Sequence, residues 1–210
     1  MFQQNVILTP GAGYHPDPAK PLRDGDDISW MGRARVGDDQ GNSSACTLFG
    51  IANWVGIMLG IDIPDAEIIA AWERARMRLY GNLKGGLTVP QAWWAAQKEG
   101  WLYSHQTAER VRDMSTLAIA PLLGCYEITE GWRHPNAAGC ICHTDTQVIG
   151  YHLVVIAEHG YVGENGGGAP SPRILWIQNS WKLKWGYKGC GQLTEDYHRK
   201  YCKQLWKINP

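Results

Sequence analysis

The sequence predicts an α+β chain of two facing halves, helices first and strands second. Three observations carry this. A long apolar run near residue 50 has helical spacing, and two further helical patterns follow it. From Leu122 onward the texture changes to short apolar runs divided by Gly- and Pro-rich stretches. No internal repeat or heptad interrupts that order.

Residues 1–29 hold four prolines, three glycines and several aspartates, which read as an extended arm laid on the surface, strapping the halves together or covering the cleft. Residues 30–115 then make the helical half and residues 116–210 the β-rich half. In the first helix Leu48, Ile51, Ala52, Val55 and Leu59 share one face. Ser43 or Ser44 is the expected cap, and Gly60 the expected stop. A second helix opens at Pro64-Asp65, with Ile68, Trp72, Ala75 and Leu79 inward and Glu73, Arg74, Arg76 and Arg78 on a solvated face. Thr88-Val89-Pro90-Gln91 is a capping box for a third helix that ends at Gly100, with Trp93 and Trp94 in or beside the core. Leu122–Thr129 reads as a strand. His152–Ala157 and Arg173–Gln178 read as an antiparallel hairpin around a long Gly-rich loop, and Gly189–Thr194 and Cys202–Ile208 as further strands.

Composition narrows the function. The 210 residues include eleven Trp, and 44% are hydrophobic, enough for a sizeable core. Twenty acidic residues balance twenty basic ones, so no charge excess points to nucleic acid or an anionic membrane. The N-terminus lacks a basic start and an apolar run, so it is no secretory signal. The longest apolar run, near residues 48–61, falls short of the ~20 residues a membrane span needs. The expectation is a soluble, cytoplasmic monomer.

Cys46 stands in the first turn of the first predicted helix, where unpaired backbone N–H groups and the helix dipole favour a thiolate. A small buried cysteine is the plainer alternative for that position taken alone. In the predicted hairpin, His152 heads one strand and Asn179 ends its partner, so a ladder in that register puts them side by side. Asn179 then bonds one imidazole nitrogen and leaves the other for Cys46.

Gln40…Cys46 before a helix, His152 at the head of an apolar strand, and Asn179-Ser180-Trp181 with Trp185-Gly186 together resemble the papain-like cysteine peptidases. The motifs span about residues 40–190. The resemblance implies a two-lobed fold with a cleft, and acyl transfer from peptide bonds through Cys46, with His152 as acid and base, oriented by Asn179. It gives Gln40 to the oxyanion and Trp181 to shielding the Asn–His bond. Gly85 and Gly86 would run along the cleft and hydrogen-bond an extended peptide. Ser44, where a cleft glycine is usual, would narrow the site. No cofactor is implied, and the implied partner is a peptide or protein. A catalytically idle peptide binder and a cell-wall peptide hydrolase or acyltransferase with the same thiol are the alternatives.

The chain departs from the pattern in several places. Ser43 replaces a disulfide cysteine, Thr47 an aromatic residue, and Lys182 a glycine. His152 follows Cys46 by 106 residues, where the pattern has roughly 130–150. A propeptide is usual in such enzymes; only about forty residues precede Gln40, so none is expected if Met1 is the native start. Cys140-x-Cys142-His143 invites a zinc reading, but it lacks the usual two-residue gap and would need Cys190 or Cys202 to complete it. Loop cysteines or a disulfide are simpler, and no metal is expected.

Overall fold

The computed structural model describes residues 28–30, 37–112, 114, 117, 120–136, 139–141, 147–161 and 173–209. The greater part of the N-terminal arm, Cys142, His143 and the loop between the hairpin strands lie outside the described residues.

Helix α1 (Cys46–Leu59) is apolar nearly all round and buried on every side, with Leu48, Phe49, Ile51, Trp54, Val55 and Ile57 closed to solvent. A helix of that composition has to be the centre of the fold. Of the five residues expected on its inner face only Leu59, in the last turn, reaches the surface. Gly60 ends the helix in the left-handed conformation. Helices α2 (Asp65–Tyr80) and α3 (Val89–Lys98) cover one side of α1, and the capping box of α3 forms between Thr88 and Gln91.

The other side of α1 lies on an antiparallel sheet. Its strands are β1 (Ile28–Ser29), β2 (Thr107–Val111), β3 (Leu122–Thr129), β4 (Val148–Tyr161), β5 (Arg173–Gln178), β6 (Cys190–Thr194) and β7 (Cys202–Asn209). The order is β2-β7-β3-β4-β5-β6, with β1 pairing the far end of β4. A short helix, α4 (Glu195–Tyr201), is capped by Thr194 and joins β6 to β7. The architecture is α+β and two-lobed, a helical lobe against an antiparallel sheet.

Gly50 fixes how closely the lobes meet. A methyl group there would come 2.0 Å from Leu153 Cδ2, so α1 can approach β4 only because residue 50 carries no side chain. That contact sets Cys46 against the residues just before Leu153.

Two expectations for α2 need correction. Leu79 is exposed, because the last turn runs past the core. Arg76 is buried, not solvated: it donates to the Gly86 and Lys84 carbonyls and to Asn82 Oδ1, with its guanidinium 4.0 Å from the centre of the Tyr80 ring. Five N–H donors let one arginine satisfy the turn carbonyls of a loop that has no secondary structure of its own. No helix among the described residues is long and apolar enough to cross a membrane.

Candidate active site

Cys46 is the first residue of α1, half-buried, with Ala45 as the N-cap and no side chain capping the helix. The expected serine cap does not form. Ser43 Oγ instead donates to the Gln40 carbonyl at 2.6 Å, and the Ser43 amide donates to it at 3.1 Å, so Ser43 closes the turn ahead of the helix. The helix N-terminus keeps its donors for an anion.

Burial pushes the Cys46 thiol up, yet the hydrogen bond and charge of His152, the Leu153 amide and the Thr47 hydroxyl together bring it from 9.0 down to about 7. The other described cysteines move the opposite way. Burial raises Cys125 and Cys190 to about 12, Cys202 to about 11, and Cys140 above its ordinary value. Among them Cys46 alone combines accessibility with a stabilised thiolate.

His152 lies within β4, opposite Tyr126 of β3, and is almost fully buried. Its Nε2 is 2.6 Å from Asn179 Oδ1. The Ser180 amide donates to that same oxygen at 2.8 Å, which fixes it as the acceptor and therefore puts the hydrogen on His152 Nε2. Nδ1 is left for the sulfur. The register differs from the expected one. Strand β4 begins at Val148, and the β4–β5 ladder starts only at Val155↔Gln178, with an irregularity near Ile156 and Glu158. Asn179 lies one residue beyond β5, so the two side chains meet beyond the end of the ladder, not as ladder partners.

Aromatic rings enclose the pair. Trp181 lies over His152 with centroids 4.6 Å apart, and Trp132 stands edge-on to it at 6.1 Å. Trp132 also packs on Trp181 and Trp185 and is wholly buried. The Trp132 indole donates to Tyr197 Oη, and the Trp185 indole donates to the Trp132 carbonyl. This shell excludes water from the His–Asn bond, where an unscreened hydrogen bond is stronger.

Gln40 reaches the site through main-chain pairing. Its amide donates to the Ser180 carbonyl at 3.0 Å, Lys182 N donates to Asp38 O at 2.8 Å, and Asp39 pairs with Trp181. The Ser180 hydroxyl donates to Gln40 Oε1 at 2.6 Å, and Gln40 Nε2 donates to the Ser43 carbonyl at 3.0 Å. The amide orientation is thereby set, and the second Nε2 hydrogen remains for a ligand. Ser180 and Trp132 were not singled out from the sequence. A hydroxyl between Asn179 and Trp181 was the available signal for the first; Trp132 sits in a segment that reads as irregular.

Gly86 stands against Ser44, two residues ahead of Cys46. A side chain on Gly86 would come 3.3 Å from the Ser44 carbonyl, and Gly85 has φ +83°. Thr47 Oγ1 donates to Leu87 O at 2.8 Å, which ties this loop to the first turn of α1.

No cluster of three metal-ligating side chains occurs among the described residues. The Cys140 thiol donates to Gln192 Oε1 at 2.9 Å, and the described cysteines are unbridged.

Neither a family model nor a curated protein matches the sequence. Solved structures do match its shape. Xylellain, a cysteine protease from Xylella fastidiosa, is similar over 99% of both chains at 15% identity, with a TM-score of 0.66. Digestive procathepsin L 3 of the Tenebrio molitor larval midgut aligns with 97% of this chain and 74% of its own, at 16% identity and a TM-score of 0.64. Recombinant stem bromelain precursor aligns with 87% of this chain and 70% of its own, at 15% identity and a TM-score of 0.62. Its architecture and these similarities give the chain the papain-like fold.

Proposed function

We propose that the chain is a cysteine peptidase that hydrolyses peptide bonds through an acyl-enzyme. One observation carries this reading: the His152 ring, held at its Nε2 by Asn179 at 2.6 Å, is the main influence that brings the Cys46 thiol down to about 7. An idle peptide binder has no need to hold a thiolate in a buried site against the cost of its desolvation.

In this proposal the Cys46 thiolate adds to the scissile carbonyl carbon. The oxyanion takes hydrogen bonds from the second Gln40 Nε2 hydrogen and from the Cys46 amide at the start of α1. His152 gives its Nδ1 proton to the leaving amine as the C–N bond breaks. It then takes a proton from water, whose oxygen attacks the thioester, and the carboxylic acid leaves with Cys46 restored. Ser180 holds Gln40 in place. Gly85, Gly86 and Ser44 take the acyl half of the substrate as an added strand, because no Cβ at residues 85 and 86 blocks the backbone.

The test is hydrolysis of an unfolded protein and of peptidoglycan, side by side, by the intact chain and by Cys46→Ala. The proposal expects protein cleavage that disappears in the variant. Persistent cleavage by Cys46→Ala ends it, and cleavage of peptidoglycan alone moves the activity to cell-wall peptides.

A further inference from the structure

We infer that the loop from Ser180 to Gly189 selects substrates whose leaving half carries carboxylates; this rests on the peptidase reading above. The loop holds Lys182, Lys184 and Lys188 and no acidic residue. All three lysines are exposed. Among the described residues only two that are not glycine adopt a left-handed backbone, and both are in this loop: Lys182 at φ +72° and Lys188 at φ +52°. That conformation crowds any Cβ and favours glycine. The loop keeps lysine at both positions despite the strain, which points to the side chains as what it needs.

The loop is also a fixed platform. The Asn179 amide donates to Gly189 O, Trp185 N to Lys182 O, and Gly189 N to Trp185 O, so the chain leaves Asn179 and returns to it. Lys182 Nζ is 3.4 Å from Asp39 Oδ2, while Asp39 Oδ1 accepts from the Gly41 amide. That carboxylate neutralises one of the three charges and leaves Lys184 and Lys188 as the exposed cations of the loop. The Lys188 ammonium lies 5.5 Å from the centre of the Tyr187 ring, which holds it without cancelling its charge.

The reaction decides which half of the substrate meets this rim. His152 delivers its proton to the leaving amine, so that amine must sit at His152. Trp181 covers His152 and begins the loop, while Gly86 stands against Ser44. The leaving half therefore meets Trp181, the ring that precedes Lys182 and opens the lysine-bearing loop. The carboxylates can come from Asp or Glu side chains or from the substrate's own C-terminus.

The test uses peptides with a common acyl half and four leaving halves: Glu-rich and amidated, Lys-rich and amidated, neutral and amidated, and neutral with a free C-terminus. The intact chain is assayed for kcat/KM by competition, and Cys46→Ala for binding without turnover. Two uncancelled exposed cations, each worth about three-fold, should favour the Glu-rich over the Lys-rich peptide by about tenfold at low salt. The preference should shrink at about 0.5 M salt, where charges are screened within a few ångströms. A preference for the free C-terminus over the amidated neutral peptide, with none for Glu, assigns the rim to the terminal carboxylate. Lys182→Gly/Lys184→Gln/Lys188→Gly relieves both strained positions, so it should melt no lower than the parent while losing the preference. Equal handling of all four peptides, or a preference that survives the triple variant, overturns the inference. Selective binding by Cys46→Ala with no turnover of any peptide by the intact chain supports the inference and strikes the peptidase reading instead.

Discussion

Replacing His152 with alanine should slow the reaction of Cys46 with iodoacetamide at neutral pH and speed it in alkali. With the thiol at about 7, about half is thiolate at pH 7. Without the His152 hydrogen bond and charge, burial acts with only the Leu153 amide and Thr47 against it, and the thiol returns to 9 or above. The thiolate fraction at pH 7 then falls at least about fiftyfold. A more basic thiolate is a better nucleophile, which gives back about six- to tenfold across that interval. The net loss is about five- to eightfold at pH 7, growing to about tenfold at pH 6, and the two rate–pH curves cross near pH 8. The assay is alkylation at Cys46 followed by peptide mass spectrometry from pH 5.5 to 10. A parent curve with its midpoint near 9, or a His152→Ala curve that overlies it, would refute the coupling between the two side chains.

Three further outcomes follow from the same contacts. Gln40→Ala should lower kcat about 10²–10³-fold with little change in KM, because its donor acts on charge that develops only in the transition state; steady-state kinetics on a cleaved peptide checks it. Gly50→Ala drives a methyl group to 2.0 Å from Leu153 Cδ2 and should cost about 1–3 kcal/mol in urea unfolding, with Cys46 reactivity falling as α1 moves off β4. Stability should also depend on pH through Cys46. Its folded value of about 7 lies below its ordinary 9.0, so its contribution is fully present above pH 9 and is lost as pH falls through 7. The stability difference between the parent and Cys46→Ala should therefore grow by up to about 2–3 kcal/mol between pH 6 and pH 9.5; a difference flat with pH contradicts this.

Local signals carried the elements that are decided locally. Gly60 stops α1, Thr88 and Gln91 cap α3, and the apolar runs at Leu122 and Arg173 give β3 and β5 with the expected ends. Elements fixed by distant partners were not legible. Thr107–Val111 is polar and largely exposed, and it is a strand only because β7 lies beside it. Ile28–Ser29 is a strand only against the far end of β4. Helix α4 occupies a span between two strand patterns, although Thr194 before Glu195-Asp196 is a cap signal. Arg76 looks solvated by periodicity and is buried because the loop after α2 folds back over it.

The site shows the same division. Cys46, His152, Asn179 and Gln40 stood out because their residue types, in that order, resemble the papain-like pattern. The hairpin pairs Val155 with Gln178, a register that does not set His152 opposite Asn179, so the His–Asn contact forms beyond the end of the ladder. Ser180 and Trp132 act through other side chains, and such roles leave little trace in a sequence.

Everything proposed for the site turns on Cys46 as the group that attacks the substrate carbonyl. The most direct measurement is to incubate the chain at pH 7 with a peptide carrying a thiol-directed electrophile in place of the scissile bond, then locate the adduct by tandem mass spectrometry. One adduct is expected, on Cys46, formed several-fold more slowly in His152→Ala. An adduct spread over the other cysteines, or none at Cys46, would contradict it.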